Sequence, residues 1–514
     1  MARVSEYKPL LLTTTVRNPE RYKLLLNVLA AFNGKILTQE IIDNIIFNMV
    51  KKKLYAPIYA TRTPRLKAML NDDAFFTDAD TGLIIANSPQ DHKEAGFEKG
   101  WASRFDTFFK MAMELGFVYY EMNKPIELSE TGVKLVKSIE PEFIHLEKQV
   151  FLNAFVKYQR INPFRKVRND NKPLILLLQT ISELKKIYGD SSAGISRQEI
   201  PLVLCWKDSD YKALATKIKE IRDRYLFTPS DAYIYNVCRD LLGVTDEKRF
   251  KIKNIIREMP DEFIRKMRLT GLISIRGNGR FIDFNTLEIG KINYVLSQYA
   301  NATIAFSTTR QYFDYMKTMD AQLISLEAVV ITGETEKEKL FLKWVTAFNL
   351  EQLKEELIVV CNPRASTKNE VLKYISEPVR MEFLTALALK KAYPDLKVVP
   401  NYIMDDEGLP SAFAPGGGAD IVCYDRQGNI LFEVTLLTGA QQNIREMPAI
   451  ERHLKERLAA APNSFSIMIC PRAHTDTLSY SEWLKSAKKL IVVILEVSAF
   501  VCTLGVQKTA REYA

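Results

Sequence analysis

Two short apolar runs near the C-terminus, Ile421–Tyr424 and Ile430–Val434, are joined by the polar stretch Asp425-Arg426-Gln427-Gly428-Asn429, and each is bordered by one acid. Apolar runs on either side of a turn rich in Asp, Gly and Asn specify a β-hairpin. If that hairpin is symmetric about Arg426 and Gln427, Asp420 falls opposite Glu433, on one face, with Cβ atoms about 4.5–5.5 Å apart. Two carboxylates so placed repel each other unless a cation lies between them. Their neighbours Ile421, Val422, Leu431, Phe432 and Val434 make these core strands rather than a surface edge. A hard, oxygen-ligated ion such as Mg2+ fits the pair. A sheet edge with two solvated acids is the plainer alternative. A glycosidase pair is a third, but no aromatic sugar platform accompanies it. The run Pro415-Gly416-Gly417-Gly418 before Asp420 supplies backbone that lets another group approach closely.

The surroundings of the hairpin predict an α/β sheet. Strands are expected at Lys397–Met404, Ala419–Tyr424, Ile430–Leu436, Ser464–Cys470 and Leu490–Val497, with helices over Asn369–Tyr393 and Gln441–Ala460. Helix, three strands, helix, strand is a sheet with helices packed on its faces.

The N-terminal part differs in charge and in pattern. Residues 341–514 carry 20 Lys+Arg and 20 Asp+Glu, so residues 1–340 hold 51 basic against 42 acidic residues, the whole surplus of +9. A basic front part suggests a polyanionic partner. Residues 20–54 read as two helices around Asn33-Gly34, the second capped by Thr38. An amphipathic helix over 104–117 leads into Phe117-Val118-Tyr119-Tyr120, then Ile126-Glu127-Leu128-Ser129 and a further short helix. Helix, hairpin and helix resemble a winged-helix module, a variant of the helix-turn-helix. The layout returns at 170–300, with a helix over Pro173–Tyr188, a new element at Ile195–Ile200, and a helix over Asp261–Thr270. A hairpin follows, turning at Gly277-Asn278-Gly279 between Arg276 and Arg280. Between the modules, Gln159–Arg168 has four basic residues in ten and reads as a loop rather than a packed element, either a groove-entering arm or a charged linker. Further helices are expected over Arg310–Met319 and Glu336–Leu357.

A chain of 514 residues is long enough for several domains. The expected division is 1–150 and 151–300 as two recognition subdomains, 301–345 as a helical linker, and 346–514 as the catalytic domain. No apolar run approaches a membrane span, and the first residues lack the apolar core of a signal peptide. Six scattered cysteines without a C-x-x-C pair point to a reducing cytoplasm rather than to zinc or disulfides.

Asp-x12-Glu-Val-Thr on adjacent strands, between two helices, resembles the PD-(D/E)XK nuclease core, and in particular the AlwI-type family of Type IIS restriction and nicking endonucleases. The likeness is carried by Thr13-Thr14-Thr15-Val16-Arg17-Asn18-Pro19-Glu20-Arg21, Asn162-Pro163-Phe164, Glu382-Phe383-Leu384-Thr385, Glu433-Val434-Thr435-Leu436 and Arg452-His453-Leu454, and runs to about residue 460. It implies an α+β multidomain chain, with a mostly helical, winged-helix-like DNA-recognition part and a C-terminal α/β nuclease domain built on a central mixed sheet. Asp420 and Glu433 would bind Mg2+ with the Val434 carbonyl. Glu382 would be the extra acid that holds a water or a second ion, and Glu446 and His453, on the following helix, would sit near the scissile phosphate. The third position of D/E-x-K is Thr435 rather than lysine, as in the AlwI-type family. Water activation would then fall to the metal, helped by Gln442 or His453. Arg17, Arg21, Arg276 and Arg280 are expected DNA contacts.

The implied function is a Type IIS enzyme that binds a short asymmetric duplex site and hydrolyses a phosphodiester at a fixed distance outside it, with Mg2+-activated water. Cutting both strands would need a second catalytic domain, from a transient homodimer or a separate subunit. The alternative is a repressor-like DNA-binding protein whose C-terminal sheet serves association only.

Overall fold

The structure is a computed structural model that describes residues 6–12, 15–16, 18–70, 74–140, 143–244, 250–329, 331, 333–362, 365–412 and 417–513. The chain divides into two compact units, Met1–Ile139 with Leu146–Val329, and Glu140–His145 with Val330–Ala514. No helix among the described residues is long and apolar enough to cross a membrane.

The first unit is mostly helical and lays out one plan twice. Helix Arg21–Ala30 precedes a single bridge, Ile36 to Pro125, and then helix Gln39–Lys51, whose cap Thr38 accepts the Ile41 amide at 3.3 Å. After three shorter helices come helix Trp101–Glu114 and the antiparallel strands Val118–Tyr119 and Glu127–Leu128. In the second round, helix Pro173–Tyr188 is followed by strand Ile195–Ser196 and helix Ile200–Cys205. Helix Met259–Arg268 then leads into strands Ile273–Arg276 and Phe281–Phe284. Strand Ile195–Ser196 pairs antiparallel with Phe281–Phe284 and completes a three-stranded sheet. Asn278 and Gly279 both take positive φ (54° and 91°), and the Arg280 amide donates to the Gly277 carbonyl at 3.3 Å, the conformation of the two-residue hairpin turns that Asn-Gly sequences favour.

One expectation fails in this unit. Gln159–Arg168 is a loop, but Arg160 and Arg165 are packed into it while Lys166 and Arg168 stay exposed. Arg160 is 2% exposed and donates to the carbonyls of Leu204 (2.9 Å), Trp206 (3.3 Å) and Lys8. Arg165 pairs with Glu114 and donates to the carbonyls of Leu11 and Leu12. Buried cations persist only when paired and hydrogen-bonded. Here main-chain oxygens from distant segments do that work, so Arg160 and Arg165 form no groove-entering arm.

The second unit is organised around a five-stranded mixed sheet. We number its strands β1 (Lys397–Pro400), β2 (Ile421–Asp425), β3 (Gly428–Val434), β4 (Phe465–Cys470) and β5 (Val492–Glu496), and its principal helices α1 (Glu377–Ala392), α2 (Met447–Ala460) and α3 (Thr475–Lys488). The spatial order is β5-β4-β3-β2-β1. β1 pairs antiparallel with β2 and β2 antiparallel with β3, while β4 and β5 continue parallel to β3. Val422 and Leu431 face Met447, Ile450 and Leu454 of α2, and Met468 and Val492 extend this core.

Several element boundaries differ from expectation. The strand expected over Lys397–Met404 stops at Pro400, and Ile403–Met404 pairs instead with Pro410–Ala412. The helix expected over Glu336–Leu357 is two, Glu334–Ala347 and Leu350–Val360, because Asn349 and Gln352 close a reciprocal capping box. The helix expected over Asn369–Tyr393 begins at Glu377 after a 3-10 turn at Leu372–Tyr374. Likewise Gln442–Glu446 forms a π turn ahead of α2. Pro448 lacks the N–H that would continue the ladder, and its ring crowds the carbonyl four residues back. The same Arg-Glu-Met-Pro sequence follows the same turn at Asn254–Glu258.

Candidate active site

The β2–β3 hairpin has the symmetry its sequence predicts. Asp425 pairs with Gly428 and Ile421 with Phe432, so one further step of that register sets Asp420 opposite Glu433. Gly428 makes the turn possible, with φ +145° and the carbonyl of Pro462 only 2.7 Å from where a Cβ would stand. Asp420 and Glu433 share the face on which Val422 and Leu431 meet α2. Asp420 Oδ2 accepts the Val434 amide at 2.7 Å, which ties the acid to the neighbouring strand.

Three further groups join this pair. Glu382, from the middle of α1, is 4% exposed, and its Oε2 is shielded from solvent with no hydrogen-bond partner among the described residues. His453, from α2, brings Nδ1 to 2.9 Å from Glu433 Oε1, while its Nε2 is buried without a partner. Glu446 stands in the π turn rather than on α2 itself, and its Oε1 accepts the Thr435 hydroxyl at 2.9 Å. That hydroxyl also accepts the Leu437 amide at 3.0 Å. Thr435, two residues after Glu433, therefore holds Glu446.

Electrostatics single out the same group. Burial, and then the charges of Asp420, Glu433 and Glu446, push the Glu382 carboxyl well above the usual carboxylate range. Burial and the Glu433 charge likewise push Asp420 well up, against the pull of the Val434 amide. Glu446 is raised by burial, with the Thr435 hydrogen bond opposing. Acids crowded in this way take up protons unless a cation replaces them. As they stand, no three His, Cys, Asp or Glu side chains among the described residues are arranged to hold a metal ion. The chemistry nonetheless fits a hard divalent cation. The donors are carboxylate oxygens, one of them buried and unpartnered, and they lie in a field of excess negative charge.

Other predicted residues are placed as follows. Gln442 is unavailable to activate water: fully buried, it donates to the carbonyls of Leu437 and Arg472 (both 2.8 Å) and accepts the His474 amide at 3.0 Å. It locks the loop that precedes the π turn. Arg21 is exposed and donates to the Leu54 carbonyl. Arg276 is half-buried against Asp283 at 3.3 Å, and Arg280 is exposed at the hairpin tip. Arg17, and with it Thr13, Thr14, Pro415 and Gly416, lies outside the described residues. The sequence reading missed Tyr402, a buried phenol on the segment after β1. A single tyrosine between Asn and Ile carries no signal that would have found it.

The AlwI restriction endonuclease family profile matches residues 113–358 and 346–488. No curated protein matches. Among solved structures, the small subunit of the heterodimeric restriction endonuclease R.BspD6I is 25% identical over 30% of this chain and 78% of its own, with a TM-score of 0.25. The restriction endonuclease FokI is 12% identical over 99% of this chain and 98% of its own, with a TM-score of 0.24. FokI bound to DNA is 13% identical over 100% and 98%, with a TM-score of 0.23. The family profile spans most of the chain, from the first unit through the acid cluster and on into α3, and the chain belongs to the AlwI restriction endonuclease family.

Proposed function

We propose that this restriction endonuclease is of Type IIS: it binds a short asymmetric duplex site and cuts or nicks at a fixed distance outside it, in a Mg2+-dependent reaction. The observation that carries the metal-dependent reading is the cluster of Glu382, Asp420, Glu433 and Glu446, in which burial and neighbouring carboxylate charge push Glu382 and Asp420 well up. Asp420 and Glu433, with the Val434 carbonyl and Glu382, would hold the ion. When bound, Mg2+ would lower the pKa of water and stabilise charge on the phosphate. The chain's own groups do the rest. His453 orients Glu433 through its 2.9 Å contact, and Thr435 holds Glu446 beside the site.

The twice-used plan of helix, short strand, helices and hairpin supports assigning residues 1–150 and 151–300 to two winged-helix-like recognition modules. Residues 301–345 then act as connector and 346–514 as the catalytic part. The helices that lead into the two hairpins, Trp101–Glu114 and Met259–Arg268, bear no fully exposed residue, so DNA contact falls to half-exposed side chains and to the hairpins, Arg276 and Arg280 included. Arg17 and Arg21 are further contacts. The neutral charge of residues 341–514 suits a domain that cuts without reading sequence. With one sheet of this kind among the described residues, each copy makes one nick, and a double-strand break takes a second copy or a separate subunit.

Incubating supercoiled plasmid with the full chain and Mg2+, beside an Asp420→Ala control, tests the reading. Open-circle or linear product from the wild type alone is expected. Product without added metal, or equal cutting by the control, rejects it. Run-off sequencing of the product gives site, offset and strand together.

A further inference from the structure

The segment that leaves β1 is stitched to the one bearing Asp420. Asn401 donates its backbone amide to the Asp420 carbonyl at 2.9 Å and its side-chain amide to the Ala419 carbonyl. The next residue, Tyr402, turns inward and is 3% exposed. Its ring meets Phe383, the neighbour of Glu382 on α1, edge-on at 5.8 Å between centroids. The phenol oxygen is shielded from solvent and has no hydrogen-bond partner among the described residues. Glu382 Oε2 is in the same condition. A buried donor and a buried acceptor, both unmade, thus sit on adjoining segments.

Leaving such a group unpaired costs about 1–3 kcal/mol, and a phenylalanine would fill the same space without that cost. Asp405 is the other acid whose charge reaches the phenol; its Oδ1 accepts the amides of Glu407 at 3.0 Å and Leu409 at 2.9 Å, which leaves Oδ2 as a second buried acceptor, so the comparison in the Glu382→Gln background decides which acid the hydroxyl serves. Burial, and then the charges of Glu382 and Asp405, keep the phenol protonated, so toward a carboxylate it is a donor.

We propose that Tyr402 is a positioning residue for Glu382, donating its hydroxyl to one carboxylate oxygen when Glu382 is ionised beside a divalent cation and leaving the other oxygen for that cation. The proposal rests on the reading of Glu382 as part of the metal site. Partners behind a ligand carboxylate fix its orientation, and removing one costs about 10–100-fold in metal affinity.

The test is Mn2+ binding to the full chain, without DNA, followed by the electron paramagnetic resonance signal of free Mn2+. Wild type, Tyr402→Phe, Glu382→Gln and the double variant are compared, each with a metal-free melting curve. Tyr402→Phe is expected to weaken Mn2+ binding about tenfold, to melt no lower than wild type without metal, and to add nothing in the Glu382→Gln background. A melting temperature that falls with unchanged Mn2+ affinity makes Tyr402 merely structural and overturns the proposal. A loss of equal size in both backgrounds also overturns it, since the hydroxyl would not be acting through Glu382. If Glu382→Gln alone binds Mn2+ like wild type, the metal reading of Glu382 itself fails, and the proposal with it.

Discussion

Replacing Glu382 by Gln should make the metal-free protein more stable while impairing its activity. Glutamine imitates the protonated acid and removes the need to ionise in a buried, negatively charged pocket. The linkage has a definite sign. The folded-state pKa of Glu382 lies above its usual value of 4.5, so the unfolded chain releases its proton first, and the wild type loses stability as pH rises from there. Below about pH 4.5 both states are protonated and the two proteins should melt alike. At about pH 7.5 the assay sits about three pH units higher, and each unit is worth at most about 1.36 kcal/mol, giving a ceiling of about 4 kcal/mol. Relaxation and water entry in real interiors reduce such penalties, so the expected gain is about 1–3 kcal/mol. For a unit of this size that is about 2–4 °C in Tm per kcal/mol. Melting curves in chelator across pH 4–8 provide the assay. A Gln variant that melts below wild type at neutral pH, or a gain that does not shrink toward acid, would refute the argument that this pocket disfavours the charged carboxylate.

Other substitutions probe the neighbouring contacts. Thr435→Val strands the Glu446 oxygen and the Leu437 amide that share one hydroxyl, so turnover should fall about tenfold or more for a loss of about 1–3 kcal/mol. Thr435→Ser should retain most of it; equal defects in the two variants would point to packing instead. Burial pushes Glu451 upward, but hydrogen bonds from Lys455, Lys488 and Tyr480 outweigh it and hold the carboxyl at about 2. Glu451 therefore stabilises the fold above its usual 4.5, and that contribution disappears as pH falls toward 2. Discounted for solvent screening it is about 1 kcal/mol, and Glu451→Gln should be less stable than wild type at neutral pH but equal to it near pH 2. Parallel stability curves would contradict this.

What the sequence revealed depended on how local the cause was. The β2–β3 hairpin was legible because turn chemistry and alternation fix its register, and register alone opposes Asp420 to Glu433. Helix Pro173–Tyr188 and the Thr38 cap were legible for the same reason. Glu382 could be reached only through family resemblance, since nothing on α1 marks one acid as buried beside another 38 positions away. The π turn at Gln442–Glu446 escaped because helical periodicity continues through it, although Pro448 records its cause. Helix α3 was not anticipated at all. The basic run at 159–168 misled because burial of a cation is decided by distant partners: Lys8 lies 152 residues from Arg160.

The two packed arginines of that run also bear on how the protein would respond to salt. DNA affinity falls with ionic strength in proportion to the phosphates neutralised, because each releases condensed counterions. Arg160 and Arg165 already spend their donors on main-chain oxygens and Glu114, so they offer little to a phosphate and release few ions. They count toward the formal charge of +9 yet stay silent in a salt titration. The steepness of that titration would thus report the exposed cations alone, and a slope set by formal charge would overstate the footprint on DNA.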